Sequence, residues 1–365
     1  MPEQTAPTVS SGTPRVYRTA DLFAGIGGIR LGFEHAFGAD RVETIFVSEF
    51  NPPAVKTYAA NFETPATPCS EEAGKPLSER PFVYGDITTI PTNAIPDIDL
   101  VLAGFPCQAF SYAGKKMGFD DNYRGKTRGT LFREVVRIGE DKQPLVIFCE
   151  NVKGLLSHDK GKTFRIIVES FKEIGYTVFH KVLNSRDFGV PQNRERVYIV
   201  AFRNDIAPNE FIYPEPTDSS RRIRGIMEDA PIPSRYYVSS QYLASMEQRT
   251  ARNRAAGRGF GHIIRDIDGV SGALVCGGMG RERNLVRDPR PHSMVPTTRI
   301  SGGINNRDIR FLTPREWARL QGYPDSYVLP CSDSQTYKQL GNSVTVPVIE
   351  AIAQNIRRVL DSGAK

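Results

Sequence analysis

Nothing in this 365-residue chain approaches the roughly 18 consecutive apolar residues that cross a bilayer. Its opening, Met1-Pro2-Glu3-Gln4-Thr5-Ala6-Pro7, has no apolar core of a signal peptide. The expectation is a soluble, cytoplasmic protein with no membrane contact. Cysteine is scarce: Cys69, Cys107, Cys149, Cys276 and Cys331 are odd in number, dispersed and without a C-x-x-C pair, which disfavours both a disulfide framework and a zinc site. The five histidines show no ligand spacing, so no metal is expected. Lysine is absent from residues 221–310, which hold sixteen arginines and eight acids. That block carries +8 in a chain whose total is +6, so the remainder carries about −2. Planar guanidinium groups suit phosphates and guanine edges, with a solvated arginine-rich surface as the alternative. No amphipathic basic helix points to a membrane surface.

With 39% hydrophobic and 24% charged residues, the chain can bury a large core plus a smaller one. Residues 1–14, rich in Pro, Ser and Thr, read as a disordered tail. From Arg18 to about Phe211, strand and helix patterns alternate. Stretches at 44–49, 98–103, 145–149 and 197–202 read as strands, and Phe164, Ile167, Val168, Phe171 and Ile174 fall at helical spacing before Gly175. This order predicts an α/β fold, a doubly wound parallel sheet with helices on both faces. Prolines at 214, 216, 231 and 233 break the pattern, and the arginine block follows in glycine-rich, short-stranded sequence.

Two strings carry the chemistry. Gly104-Phe105-Pro106-Cys107-Gln108 and Glu150-Asn151-Val152 each follow a short apolar run of buried-strand character, and ligands of open α/β sheets bind at such carboxyl ends. A thiolate held at a strand end is a candidate nucleophile, and a nearby carboxyl is a candidate proton partner. Upstream, the turn Ala24-Gly25-Ile26-Gly27-Gly28 can bring backbone N–H groups and a helix start close to a ligand, although by itself it leaves nicotinamide binding and plain tight turning open. Glu49 can accept two ribose hydroxyls and Asp86 an adenine amino group, which together describe an adenosine-bearing cofactor. A surface acid and a helix cap are the corresponding bland readings.

Taken in order, Asp21-Leu22-Phe23-Ala24-Gly25, Gly85-Asp86-Ile87-Thr88, Gly104 to Gln108, Glu150 to Val152, Gln192-Asn193-Arg194-Glu195-Arg196 and Gly341-Asn342-Ser343-Val344 resemble the motifs of the cytosine-C5 DNA methyltransferases. The likeness covers nearly the whole chain. It implies an S-adenosylmethionine-dependent methyltransferase fold, Rossmann-like, with catalytic and cofactor-binding residues 15–215, a smaller target-recognition domain and hinge at 216–330, and a C-terminal segment 331–365 whose strand and helix, from Tyr337 to about Leu360, complete the first domain. It assigns Phe23, Gly25, Gly27, Glu49, Asp86, Ile87, Pro106, Asn342, Ser343 and Val344 to the cofactor and Cys107, Glu150, Arg194 and Arg196 to catalysis.

The resemblance implies attack of Cys107 on carbon 6 of a cytosine flipped out of double-stranded DNA, with Glu150 sharing a proton at N3 and Arg196, supported by Arg194, on the O2 side. Residues 111–130 would form the closing loop; the extra residues around Asn122 to Lys126 have no assigned role. The recognition half is similar to HpaII-type methyltransferases of CCGG restriction–modification systems in Arg235-Tyr236-Tyr237-Val238-Ser239, Gly259-Phe260-Gly261 and the run Gly277 to Val286. That implies methylation of the inner cytosine of CCGG, a separate cognate endonuclease and a monomeric enzyme. Arg281 and Arg283 would read guanine, or touch phosphates only, and Met279 would fill the space the base leaves. A tRNA-methylating branch carries a Cys-Phe-Thr string that is absent here. A non-catalytic DNA-binding relative would not need Cys107 and Glu150, and a nicotinamide oxidoreductase leaves them unexplained.

Overall fold

The computed structural model describes residues 15–62, 83–106, 122–123, 126–127, 129–277, 280–290 and 303–363. Cys107, Met279, residues 1–14 and most of the expected closing loop lie outside them. The first half of the chain builds β1 (Tyr17–Leu22), α1 (Gly28–Phe37), β2 (Val42–Ser48), α2 (Pro52–Phe62), β3 (Val83–Tyr84), β4 (Leu100–Ala103), β5 (Asn122–Tyr123), β6 (Lys126–Thr127), α3 (Gly129–Lys142), β7 (Val146–Val152), α4 (Lys162–Glu173), β8 (Tyr176–Asn184), β9 (Gln192–Asn193) and β10 (Glu195–Arg203). Among the described residues, seven strands form the main sheet in the order β3-β2-β1-β4-β7-β10-β8. The neighbours β3, β2, β1, β4 and β7 are parallel, whereas β10 runs antiparallel to both β7 and β8. The expected all-parallel sheet is thus corrected at one strand.

Central strands covered on both faces need apolar residues at every position, and Leu100 to Ala103 are all fully buried. Alternate residues serve opposite layers. Ala20, Val101, Ile147 and Ile199 pack with Phe132 and Val135 of α3 and Ile167 and Phe171 of α4. Leu100, Leu102, Phe148 and Val200 pack with Phe33 of α1 and, near the C-terminus, Ile349 and Ile352. Helix α4 ends as its sequence indicates, at Ile174 followed by Gly175 with φ +92. Strand β8 has no clear sequence signal because it is an edge strand whose side chains are mostly half-buried, with His180 and Lys181 exposed.

The second half contributes α5 (Ser240–Ala255), β11 (Ile264–Arg265), β12 (Ser271–Gly272), β13 (Leu285–Arg287), β14 (Ile309–Phe311), α6 (Pro314–Leu320), α7 (Asp333–Asn342) and α8 (Val346–Ser362). Strands β11, β13 and β14 form a small sheet, and Leu243 and Met246 of α5 pack on its Leu285 and Ile309. Arg310, fully buried, hydrogen-bonds Asp288 at 2.8 Å and Glu316 at 2.7 and 2.8 Å, which joins β14 to α6. Burial would raise the Asp288 carboxyl, but the guanidinium groups of Arg290 and Arg310 outweigh it and hold it at about 2.

The C-terminal strand and helix expected from Tyr337 onward are instead two helices, α7 and α8. The apolar positions Val348, Ile349, Ile352, Ala353 and Ile356 follow a helical period and bury against the main sheet's layer. Close approach of α1 requires Gly32, where a Cβ would stand 2.6 Å from Ile349. No helix among the described residues is long and apolar enough to cross a membrane.

Candidate active site

Strand direction assembles the site. Parallel strands deliver Phe105, Pro106 and Glu150 at their carboxyl ends, and the antiparallel β10 delivers its beginning, Arg194 to Arg196, to the same edge. The strand expected to stop at Cys149 continues through Val152, so Glu150 lies inside β7, opposite Tyr198 in the register. Arg196, two residues before Tyr198, therefore shares its face. Its Nε stands 3.1 Å from Oε1 of Glu150, an ion-pair distance, yet that oxygen has no aligned hydrogen bond among the described residues. Burial pushes the Glu150 carboxyl above its ordinary range, and Arg196 and Arg194 pull it part of the way back. Such a group can carry a proton toward neutral pH and retains acceptor capacity for a ligand.

Asn151 faces the opposite layer. Its Nδ2 donates to the Phe105 carbonyl at 3.2 Å, and its Oδ1 accepts from Val152 N at 2.9 Å. The amide thereby ties the Pro106 strand end to the Glu150 strand. Cys107 follows next in the chain and lies outside the described residues. Cys149, beside Glu150, is fully buried and its thiol is pushed up by burial, which makes it a poor nucleophile.

Arg194 goes elsewhere. Its guanidinium donates to the carbonyls of Leu274 at 2.9 Å and Ser343 at 2.6 Å, and the residue is almost fully buried. Gln192 works beside it, accepting from Leu274 N at 3.0 Å and donating to the Leu320 carbonyl at 2.8 Å. Two main-chain carbonyls thus hold Arg194 between the Leu274 and Ser343 segments, while its charge still lowers the Glu150 carboxyl.

At the other end of the edge, Phe23, Gly25 and Gly27 have φ of 56, 57 and 77, so the loop between β1 and α1 turns through the left-handed region three times. A Cβ on Gly27 would overlap the Phe62 ring at 2.3 Å. Glu49 holds this loop: its carboxylate accepts from Gly25 N and Asn51 N, both at 2.8 Å. Burial holds the Glu49 carboxyl above its ordinary range, and these amides, with that of Phe50, oppose it only in part. Phe50 is 42% exposed beside Glu49, an aromatic face that the sequence reading passed over.

Asp86 is exposed and caps the turn Ile87–Thr89, accepting from Thr88 N at 3.0 Å and Thr88 Oγ1 at 2.8 Å, while Ile87 is buried beneath it. Pro106 is half-buried. Asn342 is exposed at the end of α7, Ser343 pairs its Oγ with Tyr323 Oη at 2.6 Å, and Val344 is buried.

In the arginine-rich half of the chain, Glu282 is buried and bonded by Tyr242 at 2.6 Å and by Arg249. The flanking Arg281 is exposed, its guanidinium carbon 5.3 Å from the Phe311 ring and 5.1 Å from the Tyr337 ring. Arg283 is half-buried, and its carbonyl accepts from Arg265 Nε at 3.0 Å.

Comparison with known proteins shows the family. A family model described as C-5 cytosine-specific DNA methylase matches residues 17–358. Type II methyltransferase M.HpaII of Haemophilus parainfluenzae is 48% identical over 340 residues, covering 92% of this chain and 88% of the relative. Type II methyltransferase M.NlaX of Neisseria lactamica is 41% identical over 347 residues, covering 95% and 98%. Among solved structures, the S. pombe Dnmt2 methyltransferase superposes with a TM-score of 0.66 at 20% identity, covering 95% of this chain and 99% of that one, which shows a shared fold. The fold is that of the S-adenosylmethionine-dependent methyltransferases, and the chain belongs to the C-5 cytosine-specific DNA methylases.

Proposed function

We propose that this methyltransferase transfers a methyl group from S-adenosylmethionine to carbon 5 of the inner cytosine of CCGG in double-stranded DNA, as the modification partner of a separate endonuclease. The observation that carries the chemistry is the buried Glu150 carboxyl, raised by burial and held beside the Arg196 guanidinium at 3.1 Å. The target assignment rests on the recognition strings from Arg235 to Val286 and on the likeness to M.HpaII.

The residues at the β1–α1 loop fit the donor. Glu49 keeps lone pairs for ribose hydroxyls after accepting its backbone amides, Phe50 offers a ring face to adenine, and Asp86 stands exposed for the amino group. When bound, S-adenosylmethionine supplies an electrophilic methyl group on a sulfonium. The chain's own residues must then make carbon 5 nucleophilic, because cytosine is a poor nucleophile there. Glu150 donates or shares a proton at N3 while the Cys107 thiolate adds to carbon 6, which turns the ring into an enamine. Arg196 holds the Glu150 carboxyl in place and compensates charge on the O2 side. After transfer, the proton leaves carbon 5 and the thiolate is eliminated. Arg194 acts as a positioning residue for the Ser343 and Leu274 segments.

Bisulfite sequencing of DNA from a host expressing the protein tests this reading. Protection of the inner cytosine of CCGG is expected. Protection at another site overturns the target, and no protected cytosine overturns the chemistry.

A further inference from the structure

The segment that follows α6 reaches back across the molecule to the loop between β1 and α1. Tyr327 donates its hydroxyl to the carbonyl of Ile26, which lies between the two left-handed glycines Gly25 and Gly27. Tyr323 shares a hydrogen bond with Ser343 Oγ at 2.6 Å, and a Cβ on Gly28 would stand 2.4 Å from its hydroxyl. The two rings pack at 4.5 Å, and Tyr327 also meets Phe62 edge-on at 6.4 Å.

Both tyrosines are buried, and burial raises their hydroxyls so that they remain donors across the working pH range. The segment is anchored on its far side as well. Asn61 of α2 accepts from Val328 N at 2.7 Å and donates to the Val328 carbonyl at 2.9 Å, and Arg315 of α6 donates to the Tyr327 carbonyl at 2.9 Å.

A loop with three left-handed residues has few ways to stay in one shape, since its backbone is held at discrete points. Ala24 N reaches Ser48 O at 3.1 Å, Gly27 N reaches Ala24 O at 2.8 Å, and Gly25 N reaches Glu49. The Tyr327 hydroxyl holds Ile26, the residue between the two glycines, and it comes from the recognition side of the chain.

We propose that Tyr327, with Tyr323, is a positioning residue for cofactor binding: its hydroxyl on the Ile26 carbonyl holds the glycine loop in the shape that accepts S-adenosylmethionine. This rests on the reading of that loop as the cofactor site. Removing the hydroxyl leaves a buried carbonyl without its donor and frees the loop to sample other shapes, so affinity for the cofactor falls while the chemistry at Glu150 stays.

The test compares Tyr327→Phe with Tyr176→Phe, which removes a buried hydroxyl bonded to the Pro144 carbonyl at 2.7 Å at the opposite end of the sheet. Calorimetry with S-adenosylhomocysteine and steady-state kinetics with S-adenosylmethionine and a CCGG duplex are run on full-length protein. Tyr327→Phe should raise both Kd and KM for the cofactor by about 5- to 20-fold, the scale of one buried hydrogen bond, with kcat within about two-fold. Tyr176→Phe should lower Tm and leave KM unchanged. An unchanged KM in Tyr327→Phe, or an equal rise in Tyr176→Phe, overturns the proposal. Failure of the wild type to bind S-adenosylhomocysteine overturns the cofactor reading instead. Should Tyr327→Phe not fold, Tyr323→Phe must show the same KM rise or the proposal falls.

Discussion

Asn151 donates its side-chain amide to the carbonyl of Phe105, 46 positions earlier in the chain, at 3.2 Å. Because Glu150 and Asn151 face opposite sides of β7, one residue can serve the reacting edge while its neighbour fixes the distance to the adjacent strand end. Replacing Asn151 with Ala leaves the Phe105 carbonyl buried without its donor, which should cost roughly 1–3 kcal/mol in urea unfolding. It should also slow covalent capture of a duplex containing 5-fluorocytosine. Unchanged stability with unchanged capture would show that this tether holds nothing.

Cys107→Ala should abolish methyl transfer and leave calorimetric binding of S-adenosylhomocysteine close to wild type. With 5-fluorocytosine at the target, the wild type should form a denaturation-resistant complex, since fluorine does not leave as a proton does. The variant should form none. Turnover by Cys107→Ala would sink the nucleophile assignment.

Glu49→Ala should weaken the cofactor by roughly 1–3 kcal/mol, as should Asp86→Ala, the range for a lost charge-assisted or buried hydrogen bond. Glu49→Ala should also lower Tm, because the carboxylate accepts from Gly25 and Asn51 within the loop. Unaltered affinity in both variants would refute the ribose and adenine roles.

Asp21 predicts a pH signature. Burial raises its carboxyl from 3.8 to about 7, against the opposing pull of Arg30 and the hydrogen bond from Tyr58. A carboxyl raised on folding contributes stability that is fully present below the unfolded value and is lost as pH rises through the folded one. Asp21→Asn should therefore come close to wild type near pH 4 and gain on it up to about pH 7, reaching at most roughly 4 kcal/mol and staying level above that. Urea unfolding at pH 4.5, 6 and 8 measures the gap, and a gap independent of pH would refute the assigned ionisation.

The two recognition arginines should behave differently. Arg283→Ala should cost roughly 1–3 kcal/mol on CCGG and relax discrimination at one position, as expected for a guanine contact. Arg281, stacked beside Phe311 and Tyr337, should cost about 0.5–1 kcal/mol in folding stability when replaced by Ala. Uniform weakening of Arg283→Ala on all sequences, with a salt slope shallower by about one counterion, would make it a phosphate contact. Filter binding on CCGG and single-base variants at two salt concentrations distinguishes these outcomes.

The sequence by itself determined whatever depends on side-chain identity over a few neighbouring residues. Buried strands announced themselves as the apolar runs at β4 and β7, the glycine turn between β1 and α1 was visible as a turn, and six ordered motifs carried the family. Tertiary structure decided what depends on partners far apart in the chain. Strand β10 is antiparallel, a direction that no local pattern encodes, and this brings Arg196 to Glu150. Arg194 reaches the carbonyls of Leu274 and Ser343, 80 and 149 positions away, while its charge still acts on Glu150, a combination that no local pattern encodes. The segment after Tyr337 lost its expected strand to two helices, since the apolar face of α8 is satisfied only against α1 and the sheet layer. Tyr327 finds the Ile26 carbonyl at a separation of 301 residues. A single hydroxyl has no sequence signature for such a contact, because the carbonyl it meets belongs to the backbone and is the same at every residue.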